Sequence, residues 1–417
     1  MKFNKWTVAL AAVGVVSLAS AARAEEKTSS SVMTALSSTT ISGYVDTSME
    51  WNPGTGNANP APYRFNSAIN SANKADGFNL DVVQLTIDKP LDEQDWAAGY
   101  HVDLWFGPDA NALGTSSIGS SSDFNIRQAY VALRAPLGNG LDFKVGVFDS
   151  IIGYESVDAS KDPNFTRSYG HTIEPQTETG LLVSYRFCDW FSASAGVANT
   201  VGPQINQRAF GSMMGFQSGP DTESYKAYMG SLALTAPDSW GFLSGSTVYG
   251  GGVSGYNANV AYNAYSLTPV GKSPFAGANL SSWYAGATLA TPVTGLRLGV
   301  AWDCLDVYQF PGQTWAIGGY ISWQATEKLS FHGRAEYLKD SSHILFAAPI
   351  NPFVTGTDQV LDMTLTAQYD LWKNVISRIE FRWDHSLNDA AAFGGTVQGF
   401  PDLVNAFMLG ANIIYKF

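Results

Sequence analysis

Charged side chains recur at every second position in two stretches of the C-terminal half. Arg378, Glu380 and Arg382 alternate with apolar residues in one stretch, and Arg334 and Glu336 do so in the other. Guanidinium and carboxylate groups held on one surface create a strong local field, which can select ions and orient dipolar solutes. A period of two is that of a β-strand, so each set lies on a single strand face. The spacing therefore indicates a charged sheet surface that acts on ions or small polar solutes.

Patterns typical of catalysis or metal binding are weak in comparison. The five histidines have no spacing that is usual for metal ligands. The glycine-rich run 250–255 lacks the GxxxxGK[ST] phosphate-loop signature. Glu336 and Glu380 could be read as an acid–base pair, but a wide aqueous interior would not desolvate them. We therefore expect no enzymatic activity, no cofactor and no metal.

The elements that would position these charges are amphipathic strands, and the last one is the clearest. Its apolar face carries an aromatic residue at each end, as in a lipid-facing strand of a membrane barrel. A soluble sheet can produce the same alternation. A terminal phenylalanine also resembles the last strand of outer-membrane proteins, where it serves as an assembly signal. The residues of this face are Phe407, Leu409, Ala411, Ile413, Tyr415 and Phe417.

Segments with this alternation recur from Thr39 onward, separated by turn residues. Their number is about sixteen, an even number, as in bacterial single-chain barrels. The segments at 123–135 and 240–252 have the least regular pattern. The predicted strands lie near 39–51, 77–89, 95–107, 123–135, 140–149, 178–187, 191–200, 223–236, 240–252, 280–291, 294–304, 313–325, 327–339, 358–371, 375–384 and 403–417.

The connections between these strands alternate between long and short. Long connections such as 52–76 and 150–177 follow odd-numbered strands, and short turns such as Pro136-Leu-Gly-Asn follow even-numbered ones. Long extracellular loops and short periplasmic turns are typical of an outer-membrane barrel. The predicted fold is all-β: a transmembrane antiparallel β-barrel with both termini in the periplasm.

The start of the chain predicts export to that compartment. Lys2 and Lys5 precede an apolar run, 6–18, and Ala22-Arg23-Ala24 matches a signal-peptidase site. A transmembrane anchor is the weaker alternative, because the apolar run is short for a helical span. The predicted organisation is a signal peptide at 1–24, a short periplasmic lead at 25–38 and a barrel at 39–417.

Composition agrees with a barrel in the outer membrane of a Gram-negative-type bacterium. Charged residues make up 14% of the chain and aromatic residues 13%, with 41 glycines; soluble domains contain roughly 25% charged residues. The net charge of −12 argues against a nucleic-acid partner, because no basic patch could replace counterions. Cys188 and Cys304 fall at opposite edges of the membrane band, too far apart for a disulfide, so both should be free thiols.

In a barrel of this size the inward face surrounds water. A Lys or Arg side chain that faced lipid at mid-depth would destabilise the barrel by about 2–4 kcal/mol. The charged faces therefore point inward. Barrels of sixteen strands often fold their third loop into the lumen, and by that analogy the acidic loop 150–177 would oppose the basic wall at a constriction. The alternative is a loop that caps the mouth with solvated acids. The predicted pore-lining or constriction residues are Glu155, Asp158, Asp162, Arg167, Arg297, Arg334, Glu336, Arg378, Glu380 and Arg382.

Several segments between residues 77 and 200 carry a family resemblance. The stretches Gly146-Val-Phe-Asp-Ser-Ile-Ile-Gly-Tyr-Glu-Ser, Asn164-Phe-Thr-Arg-Ser-Tyr and Glu174-Pro-Gln-Thr-Glu-Thr-Gly180 resemble the β-barrel porins of family 2, the OmpL-like group. The resemblance implies an outer-membrane porin with no defined substrate. Glu155 and Arg167 lie at its centre and are the first candidates for pore-facing side chains. The alternative is that these two residues pair with each other and stabilise the loop.

The predicted function is a porin: a water-filled channel for passive diffusion of ions and small hydrophilic solutes. The expected partners are outer-membrane lipid, the outer-membrane assembly machinery through the Phe417 strand and, by analogy with sixteen-strand porins, two further copies in a homotrimer. Two alternatives are a non-transport surface barrel, such as an adhesin or structural protein, and an exported soluble β-sandwich. Ion selectivity stays open, because net acidity favours cations and the inward arginines favour anions.

Overall fold

The computed structural model describes residues 38–57, 59–61, 76–92, 95–113, 115, 123–209, 225–257, 279–308, 312–346, 357–396 and 400–417. The predicted signal peptide at 1–24 and nearly all of the lead at 25–38 lie outside this part of the chain. Strands β1–β8 are Thr40–Trp51, Gly77–Lys89, Ala98–Phe106, Phe124–Ala135, Leu141–Asp149, Thr177–Cys188, Phe191–Ala198 and Ala227–Thr235. Strands β9–β16 are Thr247–Tyr256, Asn279–Ala290, Leu296–Val307, Thr314–Gln324, Leu329–Asp340, Gln359–Trp372, Val375–Ser386 and Asn405–Lys416.

Helical structure in the described residues is short. Helix α1 is Pro108–Leu113, helix α2 is Tyr169–Ile173, and a 3₁₀ helix spans Asp238–Leu243. No helix among the described residues is long and apolar enough to cross a membrane. The inward-facing charges are therefore positioned by strands and by the loops between them.

The sixteen strands form one closed antiparallel barrel. Each strand pairs with the next along the chain, and β1 pairs with β16 to close the ring. The closing register runs from Tyr44 opposite Lys416 to Trp51 opposite Leu409. Closure gives every strand two hydrogen-bonding neighbours, so no sheet edge is left unpaired. The predicted fold class is confirmed.

The two faces of the barrel differ as a period of two requires. Outward side chains are apolar and exposed: Leu365 and Ile379 are each 63% exposed, and Tyr415 is 50% exposed. Inward side chains such as Arg382, at 0%, are buried. Apolar outward side chains suit contact with the hydrocarbon of a membrane, and the inward position of the charged side chains keeps them away from it.

The ninth strand and its turn are corrections to the sequence prediction. Strand β9 begins at Thr247 and not near 240, because residues 238–243 form the 3₁₀ helix. Gly241 and Gly245 have φ values of 62° and 74°, which interrupt an extended strand. The resulting turn, 236–246, is longer than the loop at 308–313, so the long–short alternation is not strict.

Both cysteines are free, as predicted. Cys188 is the last residue of β6, and Cys304 lies buried in β11 between Trp283 and Trp315 of the neighbouring strands.

The main hydrophobic cluster lies inside the barrel. We call residues 150–176, which connect β5 to β6, the loop L3. Apolar side chains of L3 join inward-facing side chains of the strands in one buried cluster. Its L3 members are Ile151, Ile152, Phe165, Tyr169 and Ile173, and its wall members include Leu182, Met229, Leu338 and Met408. The loop therefore packs against the inner wall as part of the fold.

Candidate functional site

L3 begins and ends at the paired strands β5 and β6. The Ser150 backbone N–H donates to the Gln176 carbonyl oxygen at 3.0 Å, which extends the β5–β6 ladder into the base of the loop. From this base the chain enters the barrel, where the Tyr249 hydroxyl of β9 donates to the Ile151 carbonyl oxygen. The first part of L3 is thus held against β9.

Tyr154 is the next contact between L3 and the wall. Its ring stacks on Tyr320 of β12 with ring centroids 4.1 Å apart. Gly299 of β11 makes this contact possible, because a Cβ at that position would lie 1.9 Å from the Tyr154 hydroxyl. A glycine on the inward face is needed here for close approach.

Arg334 of β13 connects L3 to the wall by charge. Its guanidinium contacts Glu155 of L3 at 2.9 Å and Asp362 of β14 at 2.7 Å. It also donates to the Thr166 carbonyl oxygen at 2.9 Å. The Arg334 side chain is fully buried. A buried guanidinium with this many acceptors is satisfied, and loss of one partner from such a pair costs about 3–5 kcal/mol.

Two inward carboxylates bind the L3 backbone. Glu380 of β15 accepts from the N–H groups of Phe165 at 2.6 Å and Thr166 at 2.8 Å. Glu336 of β13 accepts from Tyr169 at 2.6 Å and Gly170 at 2.7 Å, at the start of α2. Charged hydrogen bonds of this kind are roughly twice as strong as neutral ones. They fix the second half of L3 to β13 and β15.

The two arginines of β15 donate to L3 carbonyl oxygens. Arg378 reaches the Asp162 oxygen at 2.5 Å and the Ala159 oxygen at 3.2 Å. Arg382 reaches the Arg167 oxygen at 2.6 Å, while its other nitrogens bind Asp384. The Arg residues thus bind loop backbone as well as carboxylates.

Ion pairs within L3 maintain its own shape. The Arg167 guanidinium contacts Asp162 at 2.8 Å, and Glu155 accepts from the Ser168 N–H at 2.8 Å. Burial raises the pKa of Asp162 to about 7, although Arg167 opposes the rise. Burial also disfavours ionisation of Asp158, but Lys161 and Arg127 outweigh it and lower the pKa of Asp158 to about 2. The alternative of a Glu155–Arg167 pair is wrong: Glu155 pairs with Arg334, and Arg167 with Asp162.

Glu174 and His171 form a second titratable group at the end of L3. The nearest atoms, His171 Nδ1 and Glu174 Oε2, are 3.6 Å apart. Burial raises the pKa of Glu174 well above 4.5, and the carboxylate of Asp303 on β11 adds to the rise. Burial lowers the pKa of His171 well below 6.5, assisted by Arg167 and Arg334. Burial therefore favours the protonated form of Glu174 and the neutral form of His171.

The ten residues predicted from sequence divide into two sets. Nine of them lie in the contact between L3 and the wall, each with an exposed fraction of 4% or less: Glu155, Asp158, Asp162, Arg167, Arg334, Glu336, Arg378, Glu380 and Arg382. The tenth, Arg297 of β11, is half-buried. The sequence interpretation placed the acids of the loop and the arginines of the wall across an open gap. The structure instead brings them into direct contact, because charges buried away from water need partners.

Other contributors were not among the predicted residues. Asp362 and Asp384 lie on the inward faces of β14 and β15 and pair with Arg334 and Arg382. Their signal was their alternation with apolar residues in strands that were correctly predicted. Asp303 is also inward-facing, but its proximity to Glu174 depends on the path of L3 and had no sequence signal.

A different part of the inner wall keeps contact with solvent. Several inward positions of β4–β6 are half-buried, although Leu182 of β6 belongs to the buried cluster and Tyr130 packs against it. We call this surface the uncovered wall; its residues are Tyr130, Lys144, Gly146, Gly180 and Ser184. Gly146 and Gly180 are paired neighbours at its centre. A Cβ at Gly146 would lie 2.3 Å from the Ala129 carbonyl oxygen, and one at Gly180 would lie 2.1 Å from the Val197 carbonyl oxygen, so both positions require glycine.

Comparison with known proteins shows similarity to outer-membrane porins. A sequence model described as "Putative beta-barrel porin-2, OmpL-like" matches residues 38–417. No match was found among curated protein sequences. OmpT of Vibrio cholerae in its trimer form is similar in structure, with a TM-score of 0.55 and 12% identity, covering 91% of this chain and 99% of that one.

Two other outer-membrane channels show the same fold. The channel DcaP of Acinetobacter baumannii has a TM-score of 0.54 and 11% identity, with 93% of this chain and all of that one covered. The anion-selective porin from Comamonas acidovorans has a TM-score of 0.55 and 12% identity, with 91% and 99% covered. At these identities the likeness concerns the fold.

Proposed function

The chain belongs to the β-barrel porin-2, OmpL-like family and is an outer-membrane protein, and we propose that it is a general-diffusion channel narrowed by L3. Ions and small hydrophilic solutes would cross between L3 and the uncovered wall. A closed sixteen-strand barrel is wide enough to enclose water, whereas barrels of about eight strands are filled by side chains.

The observation that carries this proposal is the asymmetry of the barrel interior. L3 is held to β13–β15 by Arg334, Glu336 and Glu380, all of them buried. Lys144 and Tyr130 on the opposite side stay half-buried, with glycines between them. A loop fixed to one side narrows a channel while leaving the other side for solutes. A loop that acted as a plug would have no reason to leave this side accessible.

The same arrangement assigns different roles to the ten residues predicted from sequence. We propose that nine of them shape the constriction from behind, by holding L3, and that Arg297 contacts the passage. Substitution of the nine would then alter channel size and stability, while substitution of Arg297 would alter ion preference.

We further propose contacts made by the outside of the barrel. The exposed apolar residues of the outer face, such as Leu365 and Ile379, would contact outer-membrane lipid. A homotrimer agrees with the trimer form of OmpT. Strand β16 completes the barrel by pairing with both β1 and β15, so recognition of the Phe417 strand by the assembly machinery would precede closure.

The test is the conductance of the purified, refolded barrel in a planar lipid bilayer. Discrete current steps are expected, with no steps from the same protein after heat unfolding. Folded protein that gives no steps at any voltage would reject the channel. That outcome would favour the surface-barrel alternative, in which the loops bind a partner.

A further inference from the structure

Four acidic side chains on the inner wall beside L3 are bonded within the protein. Glu336 and Glu380 bind backbone N–H groups of L3, and Asp362 and Asp384 contact arginines. These four carboxylates are at most 2% exposed. Burial keeps all four from direct contact with a solute, and arginines at hydrogen-bond distance compensate the charge of Asp362 and Asp384.

The inward carboxylates that do reach solvent are also partnered. Asp88 of β2 lies 2.8 Å from the His101 ring, and Asp149 of β5 contacts Arg127. Asp370 of β14 accepts from Gln368 at 3.3 Å near the periplasmic end of its strand. Accessible negative charge is therefore small at the depth of L3.

Two inward cations differ from these acids. Lys144 and Arg297 are half-buried, and neither makes a hydrogen bond or an ion pair within the described part of the chain. The Lys144 ammonium lies 4.7 Å from the centroid of the Tyr130 ring, a cation–π contact, and the carboxylates of Asp149, Asp142 and Asp88 act on it without forming an ion pair. Each cation therefore keeps hydrogen-bonding capacity that can be used by a passing anion.

Both cations lie on the inner wall, along the proposed passage. Lys144 pairs with Leu182 in the β5–β6 ladder, one inward position from the glycine pair of the uncovered wall. Arg297 is one inward position from Gly299, on the periplasmic side of the Tyr154 contact. Lys161 of L3 adds a third positive group: its side chain is 57% exposed, although Asp158 lies 3.1 Å away.

We propose that the passage prefers small anions, and that Lys144 and Arg297 determine this preference. The proposal rests on the proposed channel function and names its solute class. It also resolves the opposing indications of the sequence, in which the net charge of −12 favours cations and the inward arginines favour anions. Most of the inward arginines, like the buried acids, are used within the fold, so the field in the passage comes from the few accessible unpaired groups.

The test is the reversal potential of single channels in a KCl gradient, expressed as the chloride-to-potassium permeability ratio. We expect a ratio above one for the unmodified protein. Lys144→Gln and Arg297→Gln should each lower it by roughly sevenfold, because one unit charge at about 7 Å in water changes the local concentrations of chloride and potassium by about threefold each, in opposite directions. Lys144→Glu changes the charge by two units and should reverse the preference.

Matched variants separate charge from structural damage. Lys144→Arg keeps the charge and should keep the ratio, and Lys373→Gln removes a charge from an exposed periplasmic turn and should leave it unchanged. Two results would overturn the anion proposal and leave the channel standing. One is current steps that prefer potassium, and the other is a chloride-to-potassium permeability ratio that is the same in Lys144→Gln and the unmodified protein. Folded protein without steps would overturn the channel itself and the anion proposal with it.

Discussion

Substitution of Glu380 by Gln is the sharpest perturbation of the contact between L3 and the wall. The two carboxylate oxygens of Glu380 accept from the Phe165 and Thr166 N–H groups, and Thr366 donates to one of them at 2.6 Å. Glutamine has almost the same shape, but one oxygen becomes an NH₂ donor. One backbone N–H of L3 would then face another donor in a site closed to water.

The magnitude follows from the loss of one charged hydrogen bond. Such bonds contribute about 1.5–3 kcal/mol each. Opening of L3 at Phe165 and Thr166 should become easier by that amount. At 1.36 kcal/mol per factor of ten, amide hydrogen exchange at these two residues should accelerate roughly 10- to 150-fold.

The assay is amide hydrogen exchange of the folded barrel in detergent micelles, followed by mass spectrometry or NMR. Tyr169 and Gly170 are internal reporters, because Glu336 still binds their N–H groups in this variant. Glu327→Gln, in an exposed turn, is the matched control. Equal exchange at Phe165 and Thr166 in the Glu380→Gln and unmodified proteins would refute the anchoring role of Glu380.

Three further predictions concern the same interior. Gly170→Ala would place a Cβ 2.5 Å from a carboxylate oxygen of Asp303, so either the Asp303 side chain or α2 must shift. We expect the free energy of unfolding to fall by about 1–3 kcal/mol, seen as a lower thermal transition temperature. Gly319→Ala, whose nearest neighbour is 4.0 Å away, should leave the transition temperature unchanged. Because the pKa of Glu174 is raised, its contribution to L3 stability is full below pH 4.5 and is lost as the pH rises through the raised value. The rate of proteolytic cleavage within L3 should therefore increase from pH 5 to pH 9 in the unmodified protein, and it should increase less in Glu174→Gln. An equal increase in the two proteins would contradict this role of Glu174. Denatured protein should react with two equivalents of thiol reagent before any reduction, and a lower number would indicate a disulfide.

The strand pattern was predictable wherever one face meets lipid and the other does not. Strand β12 was predicted at 313–325 and spans Thr314–Gln324, because Trp315 and Trp323 bracket an uninterrupted alternation. The failure at β9 has an equally local cause. Trp240 and Phe242 fit a strand by period, but Gly241 and Gly245 adopt positive φ values that a strand excludes.

The chemistry of the wall was only half predictable. Alternation correctly placed Arg334, Glu336 and Glu380 inward, because their charge cannot face hydrocarbon. It could not show what covers them. Lys144, in contrast, lies in the predicted strand 140–149, and nothing in its neighbours along the chain distinguishes it from a buried cation.

The sequence by itself determined the barrel, its inward and outward faces and the two free thiols, since these depend on a period of two and on the cost of charge in lipid. Tertiary structure alone decided which charges reach solvent. Glu380 meets Phe165 across 215 positions of the chain, and Glu336 meets Tyr169 across 167. Their partners are backbone N–H groups, which every residue except proline carries. A side chain's charge can be read from the sequence, but the N–H group that satisfies it is selected only when the barrel closes around L3.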